Sequence, residues 1–83
     1  MDFDFNIYPN PNDGNFTIVL DTEDVHPFHV EIFNSSGISV FASEYCDTDQ
    51  AYINCTNLQQ GVYYVKVLMG NNVLSKRTVI RYD

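Results

Sequence analysis

Basic residues are scarce in this chain: four Lys and Arg stand against eleven Asp and Glu, for a net charge of -7. Nucleic-acid binding needs clustered cations to neutralise phosphates, so that class of function is excluded. Tryptophan is absent, and no apolar run approaches the roughly 18 residues of a membrane-spanning helix. The start, Met1-Asp2-Phe3-Asp4-Phe5, is acidic where a signal peptide is basic. The expectation is that the chain neither spans a membrane nor exports itself, and that work outside the cytoplasm requires a preceding segment. Two cysteines, Cys46 and Cys55, are separated by eight intervening residues with no histidine close by, which is no zinc pattern. A bridge between them would add about 2–3 kcal/mol, but their spacing leaves a disulfide and two free thiols equally open.

Apolar residues are not scarce: they make up 45% of the sequence, including six Phe and six Tyr, enough for one core in a chain of 83 residues. The four bases, Lys66, Lys76, Arg77 and Arg81, all fall in the last 18 residues, whereas residues 1–65 hold ten acids and no Lys or Arg. The chain is acidic in front and basic behind.

No stretch of ten residues keeps helical periodicity, while short alternating runs recur between Gly, Asn, Asp and Pro, which predicts an all-β fold. Phe16, Ile18 and Leu20 form one apolar face, and "DTEDVHP" is a loop. Val30 and Ile32 form the next face against His29 and Glu31. "NSSG" then turns the chain into Ile38, Val40 and Ala42, giving a hairpin, with Gly37 available for positive φ. "CDTDQ" is another corner, and Ala51, Ile53 and Leu58 return to the core.

In "GVYYVKVLM" Lys66 shares parity with Val62, Tyr64 and Leu68, so Tyr63, Val65, Val67 and Met69 make the buried face. "GNN" at Gly70–Asn72 supplies a hairpin turn into a final strand. There the alternation reads as broken, because Leu74 and Ile80 share parity with Lys76 while Val79 does not, which predicts an edge strand or a bulge. About seven antiparallel strands in so short a chain favour a small two-sheet β-sandwich in a single domain, residues 1–83. The unpaired final strand leaves an edge-to-edge dimer open.

The most distinctive stretch is "YPNPNDG". Pro9 and Pro11 fix φ and remove two N–H donors, so the first strand must stop there, and Asp13-Gly14 supplies a tight reversal. Asn12 or Asp13 as calcium ligands is the weaker reading, since such a site takes about six or more oxygens. His26 and His29 bracket Pro27-Phe28 without a metal-ligand spacing, and neither cysteine has a histidine placed by sequence as its base. No enzyme active site, metal or cofactor is expected. Three N-x-Ser/Thr matches, at Asn15, Asn34 and Asn54, bear only on a eukaryotic secretory source.

Four blocks in order, "YPNPNDGNFTI", "VEIFNSSGISVF", "INCTNLQQGVYYVKV" and "VLSKRTVIRYD", together resemble the type A C-terminal sorting domain of the type IX (Por) secretion system of Bacteroidota. The resemblance implies an immunoglobulin-like sandwich cut from a longer secreted protein. After inner-membrane export by an N-terminal signal, such a domain takes a covalently attached N-terminal cargo through the periplasm to the outer-membrane translocon, and so to the cell surface or the medium. It also implies removal of the domain by a sortase-like signal peptidase, which can join the cargo to a surface lipopolysaccharide.

The family's motif positions fall on Tyr8, Pro9, Asn10, Pro11 and Gly14, on Asn34, Gly37 and Val40, and on Leu58, Gly61, Tyr63 and Val65. Its terminal basic motif falls on Lys76, Arg77 and Val79, and with Arg81 these are the candidate translocon-recognition residues. Departures are Asn34 where an acid is common, the two cysteines, and the "RYD" extension. The rival class is a carbohydrate- or protein-binding module, with Tyr64, Tyr45 or Phe41 as a stacking surface.

Overall fold

Alternating burial organises the chain into seven strands in a computed structural model that describes residues 3–82. The strands are β1 (Asp4–Tyr8), β2 (Asn15–Asp21), β3 (Phe28–Asn34), β4 (Ser39–Tyr45), β5 (Gln50–Asn54), β6 (Gly61–Met69) and β7 (Asn72–Ile80). They form two sheets, β1-β2-β5 and β4-β3-β6-β7, with every neighbouring pair antiparallel. The chain crosses between sheets after β2, β4 and β5, so each sheet interleaves early and late sequence and the inner faces close on one core.

Phe16, Ile18 and Leu20 of β2 meet that core, as do Val30 and Ile32 of β3 and Tyr63, Val65, Val67 and Met69 of β6. Each such side chain removed from water contributes about 1.5–3 kcal/mol. The single charge in β6 did decide its orientation: Lys66 lies on the outer face, 3.8 Å from Glu31 across the β3–β6 ladder. Gly70 takes φ 61° at the first central position of the two-residue turn between Met69 and Asn72, as a type II′ hairpin requires.

Two sequence expectations are corrected. Ile38, just before β4, is 61% exposed and Ala42 within it faces solvent, while Phe41 and Tyr45 pack on the core and Val40 joins them. The cause is a bulge: Ile32 pairs with Phe41 but Phe33 pairs with Ser39, so Val40 is an extra residue and the inward parity flips. In β7 the alternation is not broken. Its ladder to β6 runs without a shift from Gly61–Ile80 to Met69–Asn72, and Leu74, Lys76, Thr78 and Ile80 form its more buried face. The strand is an edge, as predicted, and carries one charge inward.

The two cysteines are free thiols. Cys46 follows β4 beside Leu68 and Gly70, at the end of the sandwich where β6 finishes. Cys55 follows β5, and its N–H donates to Gly14 O at the opposite end. The five residues of β5 alone separate the two ends by about 17 Å, far beyond disulfide reach.

Candidate functional site

Pro9 and Pro11 both follow cis peptide bonds, and between and after them two asparagines take over the pairing that the prolines forgo. Asn10 Nδ2 donates to Arg77 O at 3.2 Å, and its Oδ1 accepts from the Thr78 hydroxyl at 3.0 Å and from Val79 N at 3.3 Å. The backbone of Asn12 forms one parallel bridge to β7, donating to Val79 O at 3.0 Å and accepting from Arg81 N at 2.8 Å. The groups of Arg77, Val79 and Arg81 that face away from β6 are thereby capped. The corner is a clamp on the C-terminal half of the last strand.

Asn12 is the centre of that clamp. It is 6% exposed; its Nδ2 donates to Pro9 O and Thr78 Oγ1, both at 3.0 Å, and its Oδ1 accepts from Gly14 N at 2.9 Å. Thr78, 1% exposed, accepts from Asn12 and donates to Asn10, so its hydroxyl is satisfied in both roles. Both polar atoms of the Asn12 side chain are thus engaged within the corner and with β7. Among the described residues, no three His, Cys, Asp or Glu side chains gather as a metal site would require.

Gly14 closes the corner at φ 96°, and a Cβ there would sit 2.5 Å from Cys55 O. Only glycine allows this backbone approach, which the hydrogen bond from Cys55 N to Gly14 O, 2.8 Å, holds in place. Asn34 organises the β3–β4 turn, its Oδ1 accepting from Ser36 N and Ile38 N at 3.0 Å while Gly37 N donates to Asn34 O. An amide side chain serves here because the turn demands an acceptor, not a charge. Leu58 packs on the core, Gly61 opens β6, and the Tyr63 hydroxyl donates to Gln59 O at 2.7 Å. Val65 lies fully buried at the middle of β6.

In the terminal block the three candidate cations have different surroundings. Lys76 Nζ lies 3.0 Å from Asp4 Oδ1 and 5.4 Å from the Phe5 ring centroid, bridging the edges of the two sheets. Its hydrogen bond to Asp4, aided by that from Phe5 N, holds the Asp4 carboxyl below its ordinary value. Arg77 and Arg81 are exposed, and among the described residues neither forms an ion pair. Val79 is half-buried on the outer face opposite Val62. Of the "RYD" extension, Asp83 lies outside the described residues; Tyr82 is held through its N–H, which donates to Gln60 Oε1 at 2.7 Å, and its hydroxyl, which meets the carbonyls of Thr56 and Leu58.

All four blocks therefore meet at one end of the sandwich. The corner lies on β7 and Cys55, Asn34 pairs with Tyr63, and Tyr82 covers the 56–60 segment. Sequence reasoning weighed Asn12 only as a calcium ligand and missed Thr78, although Thr78 sits at inward parity between Lys76 and Ile80. The stacking surface of the rival reading does not assemble: Tyr45 stacks on Phe28 with centroids 5.2 Å apart, Phe41 packs on the core, and Tyr64 alone of the three is exposed.

Residues 6–81 match the family model described as the secretion system C-terminal sorting domain. The chain belongs to that family. No curated protein matches it. The sorting domain is a type IX secretion signal: it works with that machinery, attached to a cargo protein, and implies export across the outer membrane to the cell surface or the extracellular space. The family is one of sorting signals and not of enzymes.

Proposed function

We propose that the outer-membrane translocon reads this domain at its motif end, through Arg77, Arg81 and the adjoining face of β7 at Val79, and that the domain itself performs no chemistry. The observation that carries this is the convergence of four distant sequence blocks at the end where Arg77 and Arg81 lie exposed, without an ion pair among the described residues. The opposite end is acidic, with Asp21 closing β2, Glu23 and Asp24 after it, and Asp47 and Asp49 before β5. Such a charge axis steers encounter with an acidic receptor and sets its orientation. Lys76 has a different part. Held by Asp4, it keeps an inward charge on an edge strand, a device against sheet-to-sheet aggregation.

In this reading the domain comes from a longer secreted protein whose cargo precedes β1. That strand runs toward the corner, so the cargo joins the sandwich away from the reading end. The cargo passes through the periplasm, and the connection before β1 is where a sortase-like peptidase of the machinery cuts. The test is charge reversal at either end of a cargo-linked domain in a competent host. Arg77→Glu with Arg81→Glu is expected to hold the cargo in the periplasm, while Glu23→Lys with Asp24→Lys leaves export intact. Equal export of both variants would remove the proposal.

A further inference from the structure

The outer face of the three-stranded sheet takes no part in the clamp, and its composition is unusual for this chain. Strand register sets its residues in rows: Asn6–Val19–Gln50, then Tyr8–Thr17–Tyr52, then Asn15–Asn54. None of these eight is ionic, in a molecule of net charge -7. The sheet's outward acids, Asp4 and Asp21, stand opposite each other in the row at the far edge, and Asp4 is neutralised by Lys76. The face is a neutral field of four amides, a hydroxyl, two phenols and one valine.

Tyr8 is 56% exposed and Tyr52 77%, though both belong to regular strands whose inward neighbours are buried. Tyr8, Pro9, Thr17, Tyr52 and the amides of Asn15 and Asn54 line a shallow cleft. The side chains of Asn6, Asn15, Gln50 and Asn54 are exposed, and among the described residues none of them makes a hydrogen bond. Each amide offers donors and an acceptor to one side of the sheet.

We infer that this face binds a linear, uncharged oligosaccharide laid across the strands. Tyr8 and Tyr52 stand in one row on either side of β2, two interstrand spacings or about 10 Å apart. Two linked pyranose rings cover that span, so alternate rings of one glycan chain meet the two phenols through their C–H faces. The hydroxyls between them meet the amides, which donate and accept as sugar hydroxyls do. Charge selects the ligand class: an anionic glycan meets a strongly acidic protein, and a cationic one is drawn to the acids at the far end instead. The wide, flat, wet surface suits a polar chain better than an apolar ligand.

The experiment is a titration of the 15N-labelled chain with cellohexaose, mannohexaose and chitohexaose, with a sulfated heparin hexasaccharide as the charged comparison. At least one neutral hexasaccharide is expected to shift the amide signals of Thr17, Tyr52 and Asn54 at millimolar concentration. Tyr52→Ala and Tyr8→Ala are each expected to raise its Kd by about tenfold or more, whereas Tyr64→Ala, on the other sheet, leaves it unchanged. Both residues are exposed, and the unperturbed remainder of the spectrum reports that each variant is folded. The inference is overturned if no neutral hexasaccharide moves these signals, if the shifts survive loss of both tyrosines, if only the sulfated sugar binds, or if the face responds to a protein and to no glycan.

Discussion

Replacing Asn12 by alanine tests whether the corner is a clamp or merely a bend. The substitution removes two donated hydrogen bonds, to Pro9 O and Thr78 Oγ1, and the acceptor that serves the buried N–H of Gly14. A net intramolecular hydrogen bond contributes about 0.5–1.5 kcal/mol, and a buried donor left without a partner costs about 1–3 kcal/mol. Thr78 keeps its bond to Asn10, so its hydroxyl is only half abandoned. The expected loss is then about 2–4 kcal/mol, which for a domain of this size lowers Tm by about 10–20 °C. Urea or thermal unfolding followed by far-UV circular dichroism measures it. Pairing Asn12→Ala with Thr78→Val in a double-mutant cycle should return a coupling of about 0.5 kcal/mol or more, since the two groups touch. A loss below about 0.5 kcal/mol, or additive single changes, would refute the reasoning.

Gly14→Ala should be still more damaging, at about 3 kcal/mol or more, because positive φ and the approach to Cys55 O act together; unfolding curves within 1 kcal/mol of the parent would contradict the crowding argument. The Asp4 carboxyl should titrate below 3.8 by NMR and return toward that value in Lys76→Met. Because its folded pKa is depressed, the stability it contributes is present above about pH 4 and is lost as the pH falls through the folded value. A thiol reagent should label Cys46 alone in the folded protein and Cys55 only after denaturation, since burial encloses Cys55 and pushes its thiol pKa up; an intramolecular disulfide by mass spectrometry would overturn the placement at opposite ends.

The orientation of β6 was legible because nine alternating residues contain one lysine, and a single charge on the wrong face would be untenable. The face of β4 was not legible. A bulge at Val40 leaves no compositional mark, and it reverses parity within a strand of small and mixed residues. For β7 the difference has another source: a lysine at the parity of Leu74 and Ile80 reads as a break in the pattern, yet an edge allows an inward lysine to reach Asp4 on the other sheet. The corner's turn chemistry was readable from its prolines and Asp13-Gly14. Its partners were not, since Thr78 lies 66 residues from Asn12 and local sequence is silent about such pairings.

The same distinction applies to the site. The four motif blocks were recognisable in order, but only the topology brings them to one end, with the hairpin turn at Asn34 beside Tyr63, the corner bonded to Val79 and Arg81, and Tyr82 on the 56–60 segment. The cation count identified the last strand as the distinctive element. It did not separate Lys76, which is held by Asp4, from Arg77 and Arg81, which are exposed and form no ion pair among the described residues.

The most direct measurement fuses a fluorescent protein, led by an inner-membrane export signal, to the N-terminus of this domain and follows it in a host with an intact type IX system and in one lacking the translocon. The reporter is expected outside the cell in the first and trapped in the periplasm in the second. Retention in the periplasm of both hosts, or release from both, would contradict the account.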